Sequence, residues 1–140
     1  MKTTFNVSVL AVLLVVISSP CFADMLVGRV TKERAKEWGM EIRAKANGPD
    51  EVWVELEFKP EGKLKDFSHV NLEIREGDKL LLGWTALRET RSSSGSVRVG
   101  GLVNRAYLAK VTLRVVTGHA MNYSGNDIQL KDFVDLEKVR

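Results

Sequence analysis

Cysteine, histidine and proline are scarce in this chain of 140 residues, which has one, two and three of them respectively. A single cysteine, Cys21, cannot form a disulfide within the chain, and His69 and His119 do not have the short spacing of zinc ligands. The chain also lacks a calcium-loop pattern, a Gly-x-Ser-x-Gly turn and a phosphate-binding glycine loop. The sequence therefore predicts no catalytic residue, no metal site and no cofactor.

Carboxylates, which serve as acids and bases in catalysis, are plentiful in the chain. Glu55 and Glu57 share one face of a predicted strand, and glycoside hydrolysis needs two carboxylates held across a cleft. Adjacent glutamates on an exposed strand face are also the ordinary means of keeping a sheet soluble. We therefore predict that the protein is not an enzyme, with an envelope hydrolase as a remote alternative.

Long apolar runs are also missing, and the longest, from Val9 to Ile17, is well short of the ~20 residues that span a bilayer. Lys2 precedes this run and a small-residue site ending at Ala23 follows it, which is the pattern of a cleaved signal peptide. We expect residues 1–23 to be removed, and the exported chain to have no transmembrane segment and to reside in the periplasm or outside the cell. Lipidation of Cys21 is the alternative.

The remaining chain, residues 24–140, has the composition of one globular domain, because the sequence is 44% hydrophobic and 28% charged. A short helix is predicted over 32–38, with Thr31 as N-cap and Gly39 at its C-terminal end. Apolar and polar residues then alternate over 40–46 and 52–58, on either side of an Asn-Gly-Pro-Asp turn. This pattern predicts a β-hairpin with one buried face.

Further alternation over 69–75 and 111–115 predicts more strands, and a Glu-Gly-Asp turn leads to the apolar run 80–84, which suits a central strand. Residues 91–95 and 117–127 are expected to be loops, with short strands starting at Val97 and Ile128. About seven strands at this spacing are typical of an antiparallel two-sheet sandwich. We predict an all-β, immunoglobulin-like sandwich, with a small β-barrel as the alternative.

Charge is unevenly distributed along the predicted strands. Residues 41–61 hold six acids and three bases, whereas residues 88–126 hold six bases and one acid. Arg98 and Arg114 have the outward parity of their strands, so neighbouring strands would place both on one face, with Arg105 at the corner. Such a patch fits an anionic glycan or an acidic protein partner. Alternatively, these arginines are solvated and complement the acidic hairpin of the same molecule.

Trp53 is a second candidate binding residue, because its parity directs it outward between Glu51 and Glu55. There it either stacks on a sugar ring or is covered by the segment 25–38. The sequence thus predicts an exported, non-enzymatic binding module of the bacterial envelope. Nucleic acid is disfavoured as a partner, since the formal charge is only +3. The alternative is a structural or assembly subunit whose outward apolar residues, Leu81, Leu102 and Val116, are covered by another copy or protein.

Overall fold

The computed structural model describes residues 25–84, 87–120 and 122–139, so the predicted signal peptide over 1–23 lies outside the described residues. The strands in this range are β1 (Leu26–Arg29), β2 (Glu41–Ala46), β3 (Glu51–Phe58), β4 (Phe67–Glu76), β5 (Lys79–Trp84), β6 (Arg88–Arg91), β7 (Val97–Asn104), β8 (Val111–His119) and β9 (Asn122–Gln129). The helical segments are α1 (Lys32–Glu37) and three 3₁₀ turns over Gly62–Leu64, Arg105–Lys110 and Leu130–Asp132.

The strands form two separate sheets. One has five strands in the order β1-β9-β8-β4-β5, and the other has four in the order β2-β3-β7-β6. All neighbouring strands are antiparallel except β1 and β9, which run parallel. This confirms the prediction of a mainly β protein with two sheets, consistent with a sandwich. The described strands do not close into a barrel, so that alternative is wrong.

The core lies between the sheets and follows the alternation in the sequence. On β3, Val52, Val54, Leu56 and Phe58 are at most 1% exposed, while the residues between them point outward. Further core residues share the inward parity of their strands and are Val70, Leu72 and Ile74 of β4, Val97, Val99 and Val103 of β7, and Val111, Leu113 and Val115 of β8. In the five-stranded sheet, Glu73, Thr112 and Val116 have the opposite parity and are also buried. Burial of apolar side chains, at ~25 cal/mol per Å², is the main force holding the sheets together.

The predicted start of the helix is confirmed, and the helix ends at Glu37 with Trp38 as its C-cap, one residue earlier than predicted. Thr31 accepts a hydrogen bond from the Arg34 amide at 3.3 Å, and Gly39 adopts a positive φ of 63° at the C-terminal end. Ala35 faces the core, and Trp38 packs against it at partial exposure. Asn104 caps the 3₁₀ turn that follows β7 in the same manner, because its side chain accepts from the Ala106 amide at 2.9 Å.

Three sequence predictions about local structure are wrong. The apolar run 80–84 forms β5 at the edge of the five-stranded sheet, where Leu80, Leu81 and Leu82 are between 41% and 50% exposed. Residues 117–127 are a tight hairpin between β8 and β9 and not a long loop, since the strand pairing continues to His119 and Asn122. Strands β1 and β6 were missed, because both are short edge strands with no clear alternation.

Candidate functional site

The four residues predicted to bind a partner do not form one surface. Trp53 lies on β3 and Arg98 on β7, both in the four-stranded sheet, whereas Arg114 lies on β8 in the five-stranded sheet. The prediction that Arg98 and Arg114 share one face is therefore wrong. Strands β7 and β8 are consecutive in sequence, but the connection between them crosses from one sheet to the other. Arg105 lies in the 3₁₀ turn that makes this crossing.

The guanidinium of Arg105 is occupied by backbone carbonyl groups. Its Nε donates to the Pro49 oxygen at 2.9 Å, and its Nη2 donates to the Gly48 oxygen at 3.2 Å. Its Nη1 donates to the Val139 oxygen at 2.7 Å. These bonds join the β2–β3 turn and the C-terminal segment to the crossing between the sheets. The contacts of Arg105 are therefore structural.

Arg114 is paired on the outer face of the five-stranded sheet. It holds Asp127 with two bonds, from Nε to Oδ1 at 2.7 Å and from Nη2 to Oδ2 at 2.8 Å, and its Nη1 lies 3.4 Å from Glu73 Oε1. The hydrogen bond to Asp127 raises the pKa of Arg114. Its side chain is only 12% exposed, so little of this guanidinium is presented to solvent.

Trp53 and Arg98, by contrast, come together on the outer face of the four-stranded sheet. The indole of Trp53 lies over Gly100 on the neighbouring β7, in the space that a side chain would occupy. Its Nε1 donates to Glu55 Oε2 at 3.3 Å, which orients the ring along the strand. The ring is half-buried by this packing. The segment 25–38 was the predicted cover for Trp53, but its strand β1 pairs with β9 in the other sheet.

Carboxylates and guanidiniums form a network beside this ring. Glu57 Oε2 accepts from Arg98 Nη2 at 3.0 Å and from Arg43 Nη1 at 3.1 Å. The same two arginines contact Glu55 Oε1 at 3.5 Å and 3.3 Å, and Arg43 also pairs with Glu41. The hydrogen bond from Arg98, reinforced by the one from Arg43, lowers the pKa of Glu57. The bonds from Arg43 and Arg98 thus hold both glutamate side chains in place.

A small hollow of about 220 Å³ opens between the ring and the network, lined by Trp53, Glu55, Arg88, Thr90, Arg98 and Gly100. Arg88 faces Gly100 across the β6–β7 ladder, and no carboxylate pairs with its guanidinium within the described part of the chain. The outer face as a whole carries four acids and four bases, which are Glu41, Glu51, Glu55, Glu57, Arg43, Lys45, Arg88 and Arg98. Its formal charge is balanced, so it is not a basic patch.

Arg88 and Gly100 line the hollow of the candidate site, but the sequence analysis did not predict either as a site residue. The signal for both lay in the loop 91–95, which was predicted correctly but not used to align the strands around it. A hairpin centred on Ser94 places Arg88 opposite Gly100 and Thr90 opposite Arg98, as the pairing of β6 and β7 shows. Two glycines in a strand also indicate a close approach by a neighbouring group, here the Trp53 ring.

Comparison with known proteins identifies no relative. No protein family matches the chain, and no curated protein or solved structure is significantly similar to it. In residues 25–84, 87–120 and 122–139, no group of three or more His, Cys, Asp or Glu side chains is arranged to hold a metal ion. No helix in these ranges combines the length and apolar character needed to cross a bilayer. The function must therefore be inferred from the geometry of the outer face of the four-stranded sheet.

Proposed function

We propose that this protein is an exported, non-enzymatic module of the bacterial envelope that binds a neutral glycan on the outer face of its four-stranded sheet. The observation that carries the proposal is the Trp53 indole, which lies over Gly100 beside a hollow lined by Arg88 and Arg98. An aromatic ring offers an apolar surface for the C–H face of a sugar ring. The flanking carboxylates accept hydrogen bonds from sugar hydroxyls, and the guanidiniums donate to them.

The position of the site within the sheet favours a sugar over a peptide. Strands β3 and β7 each have a neighbour on both sides, so their backbone groups are already used in the ladders. A peptide that adds to a sheet needs a free edge with unpaired backbone groups. The outer face offers only side chains, and these form an aromatic surface with donors and acceptors around it.

The balance of charge favours a neutral glycan over the anionic ligand expected from the sequence. Arg98 is shared between Glu55 and Glu57, and Arg114 is paired on the other sheet. On this outer face, Arg88 and Lys45 are the cations without a carboxylate partner among the described residues, and Glu51 lies on the same face. We therefore expect binding that changes little with ionic strength.

A binding role also fits this site better than the hydrolase alternative. A general acid in glycoside hydrolysis needs a raised pKa, so that it is protonated at neutral pH. The hydrogen bonds from Arg98 and Arg43 instead lower the pKa of Glu57. Glu55 is bonded by the same two arginines and by the Trp53 ring nitrogen, so neither carboxylate is free to act as a nucleophile.

We further propose that the sandwich is of the immunoglobulin-like kind. Support comes from the strand orders β2-β3-β7-β6 and β9-β8-β4-β5, which correspond to A-B-E-D and G-F-C-C′ when β2 is taken as strand A. In this scheme β1 is an additional strand that runs parallel to β9. The binding surface then lies on the A-B-E-D sheet.

The test is isothermal titration of the purified domain with neutral cello-, malto- and N-acetylchito-oligosaccharides and with acidic galacturonate oligomers. Trp53→Ala and Arg88→Gln remove the ring and the unpaired guanidinium. Arg91→Gln is the matched control, since Arg91 lies on the same strand but pairs with Glu89 and does not line the hollow. We expect Trp53→Ala to abolish binding, Arg88→Gln to weaken it about tenfold and Arg91→Gln to leave it unchanged.

Three results would overturn the proposal. The first is that no oligosaccharide in either group binds, and the second is that binding is equal in the wild type and in Trp53→Ala. The third is stronger binding to the galacturonates that disappears at high salt, since it would restore the anionic ligand predicted from the sequence. Release of reducing ends from a bound oligosaccharide would contradict the proposal that the protein is not an enzyme.

A second candidate function is an assembly subunit, favoured by the exposed leucines of the edge strand β5. An edge with unpaired backbone groups and apolar side chains is a template for pairing with another chain. Of the three residues named for this role from the sequence, Leu81 and Leu102 are exposed, whereas Val116 is 3% exposed and was assigned wrongly. A mass measurement over a concentration series tests it, and a monomer at every concentration argues against self-assembly.

A further inference from the structure

A larger cleft of about 620 Å³ lies at the end of the sandwich, next to the candidate site. It forms where β3 ends and where β2 and β7 begin, between the C-terminal end of α1 and the connection that leads to β4. Trp38 lines the wall formed by the end of α1, and Glu61 and Lys63 line the wall formed by the connection to β4. The cleft thus combines an aromatic ring with hydrogen-bonding side chains, like the hollow at Trp53.

A second cleft of about 590 Å³ continues from the first, because Gly62 and Lys63 line both. Its other walls come from the start of β4 and from the β8–β9 hairpin, with the side chains of Thr117, Asn122 and Ser124 among them. Thr117 and Ser124 bond to each other through their hydroxyl oxygens at 2.9 Å. The two clefts together form a polar trough along one end of the molecule.

This trough is continuous with the outer face that carries Trp53. Glu41 and Glu57 line the first cleft and also belong to the network beside the ring. Trp53 and Glu57 are four residues apart on one strand, which at ~3.3 Å per residue separates them by about 13 Å. A single sugar ring cannot reach from the Trp53 hollow into the cleft, whereas a linear oligosaccharide can.

We propose that the ligand is a linear, neutral oligosaccharide that extends from the Trp53 hollow past Glu57 into the end cleft, where Trp38 provides a second stacking surface. This inference rests on the proposed function and adds the length and direction of the ligand. The cleft also favours an uncharged chain, because Glu37, Glu41, Glu57 and Glu61 outnumber Lys59 and Lys63 along its walls. These carboxylates repel a polyanion but accept hydrogen bonds from sugar hydroxyls.

The experiment measures the affinity of the wild type for cello-, malto- and N-acetylchito-oligosaccharides of one to six units. For the series that binds, we expect affinity to rise at least about tenfold from the disaccharide to the hexasaccharide and then to level off. Trp38→Ala should reduce hexasaccharide affinity to that of the disaccharide and leave the disaccharide unaffected. Lys63→Ala is a second, exposed variant that avoids the core contacts of Trp38, and Lys36→Ala on α1 is the control outside the cleft.

The outcomes separate this inference from the proposed function. Equal affinity for the disaccharide and the hexasaccharide, both lost in Trp53→Ala, would overturn the extended ligand and leave the glycan site standing. Hexasaccharide binding that is unchanged in both Trp38→Ala and Lys63→Ala would also overturn the extended ligand and leave the glycan site standing. Failure of every oligosaccharide to bind the wild type would overturn the proposed function together with the extension.

Discussion

Replacing Gly100 with alanine tests the close contact on which the candidate site depends. A Cβ at this position would lie 2.6 Å from Cζ2 and 2.9 Å from Cε2 of Trp53, and 3.0 Å from the Val54 carbonyl oxygen. Non-bonded carbon atoms pack best at about 3.5–4.0 Å, and both distances to the indole are far shorter, so the indole must move. The φ of Gly100 is not in the left-handed region, so alanine meets no backbone strain there.

The expected magnitude combines two opposing effects. Inserting a methyl group into a filled space costs about 1–3 kcal/mol, whereas Gly→Ala stabilises by about 0.4–1 kcal/mol through the unfolded chain. Gly100→Ala should therefore lower the free energy of unfolding by about 0.5–2.5 kcal/mol in the wild type. Of the three atoms nearest to such a Cβ, a Trp53→Ala background keeps only the Val54 oxygen, so the same substitution should be close to neutral or stabilising by up to about 1 kcal/mol.

The assay is urea unfolding followed by far-ultraviolet circular dichroism, because a tryptophan signal would itself change between the variants. The wild type, both single variants and the double variant form a cycle, with an expected coupling energy of about 1–2 kcal/mol. Gly83→Ala is the control, since a Cβ there meets only Leu80 Cδ2 at 3.7 Å. We expect that control to leave the midpoint unchanged or to raise it slightly.

If Gly100→Ala lowers the free energy of unfolding equally with and without Trp53, the prediction is wrong, because the indole is then not the group that excludes the methyl. The binding assay gives an independent check. If the ring is the stacking surface, Gly100→Ala should weaken oligosaccharide binding about as much as Trp53→Ala does. Gly83→Ala should bind like the wild type.

The other predictions concern the three paired arginines. Arg105→Ala should lower the free energy of unfolding by about 1.5–3 kcal/mol in urea titrations, and lysine should rescue little of it because it lacks the planar fork; full rescue by lysine would argue against the carbonyl clamp. Arg114→Met should cost about 2–4 kcal/mol at neutral pH, because it leaves Asp127 without its cation and Glu73 with Arg75 alone, and a cost below about 0.5 kcal/mol would contradict the pairing. The hydrogen bond from Arg98 lowers the pKa of Glu57 in the folded state. The Glu57 carboxylate therefore stabilises the fold at pH values above its pKa in the unfolded chain. This stabilisation is lost as pH falls through the lower pKa of the folded state. The urea midpoint of Glu57→Gln should accordingly fall below that of the wild type near neutral pH and approach it as pH falls through the lowered pKa.

The hairpin of β2 and β3 and the strands β4 and β8 could be predicted because their signals are local. Alternation with a period of two placed the apolar residues of β3 inward, and all four of them are at most 1% exposed. Thr31 could be recognised as a cap, since a side-chain oxygen in front of a helical turn satisfies free backbone amides. These features depend only on neighbours within a few residues.

The position of β5 could not be predicted in the same way. A run of leucines is compatible with a strand buried on both faces or with an exposed strand, and periodicity does not distinguish the two. Here β5 pairs only with β4, and a register shift between Ile74 and Arg75 interrupts that pairing. Which strand lies at an edge depends on pairing partners that are distant in sequence.

Sequence alone thus determined the all-β class, the two-sheet arrangement and the outward direction of Trp53, because each follows from residue periodicity and from turns that act locally. The sequence did not reveal that Arg98 lies beside Trp53 while Arg114 lies on the other sheet, or that Arg105 is bound by carbonyl groups; these arrangements emerge from long-range strand pairing. The physical reason is that the chain crosses between sheets after β7. Parity along a strand specifies the face of a sheet, but the pairing of distant strands specifies which sheet it is.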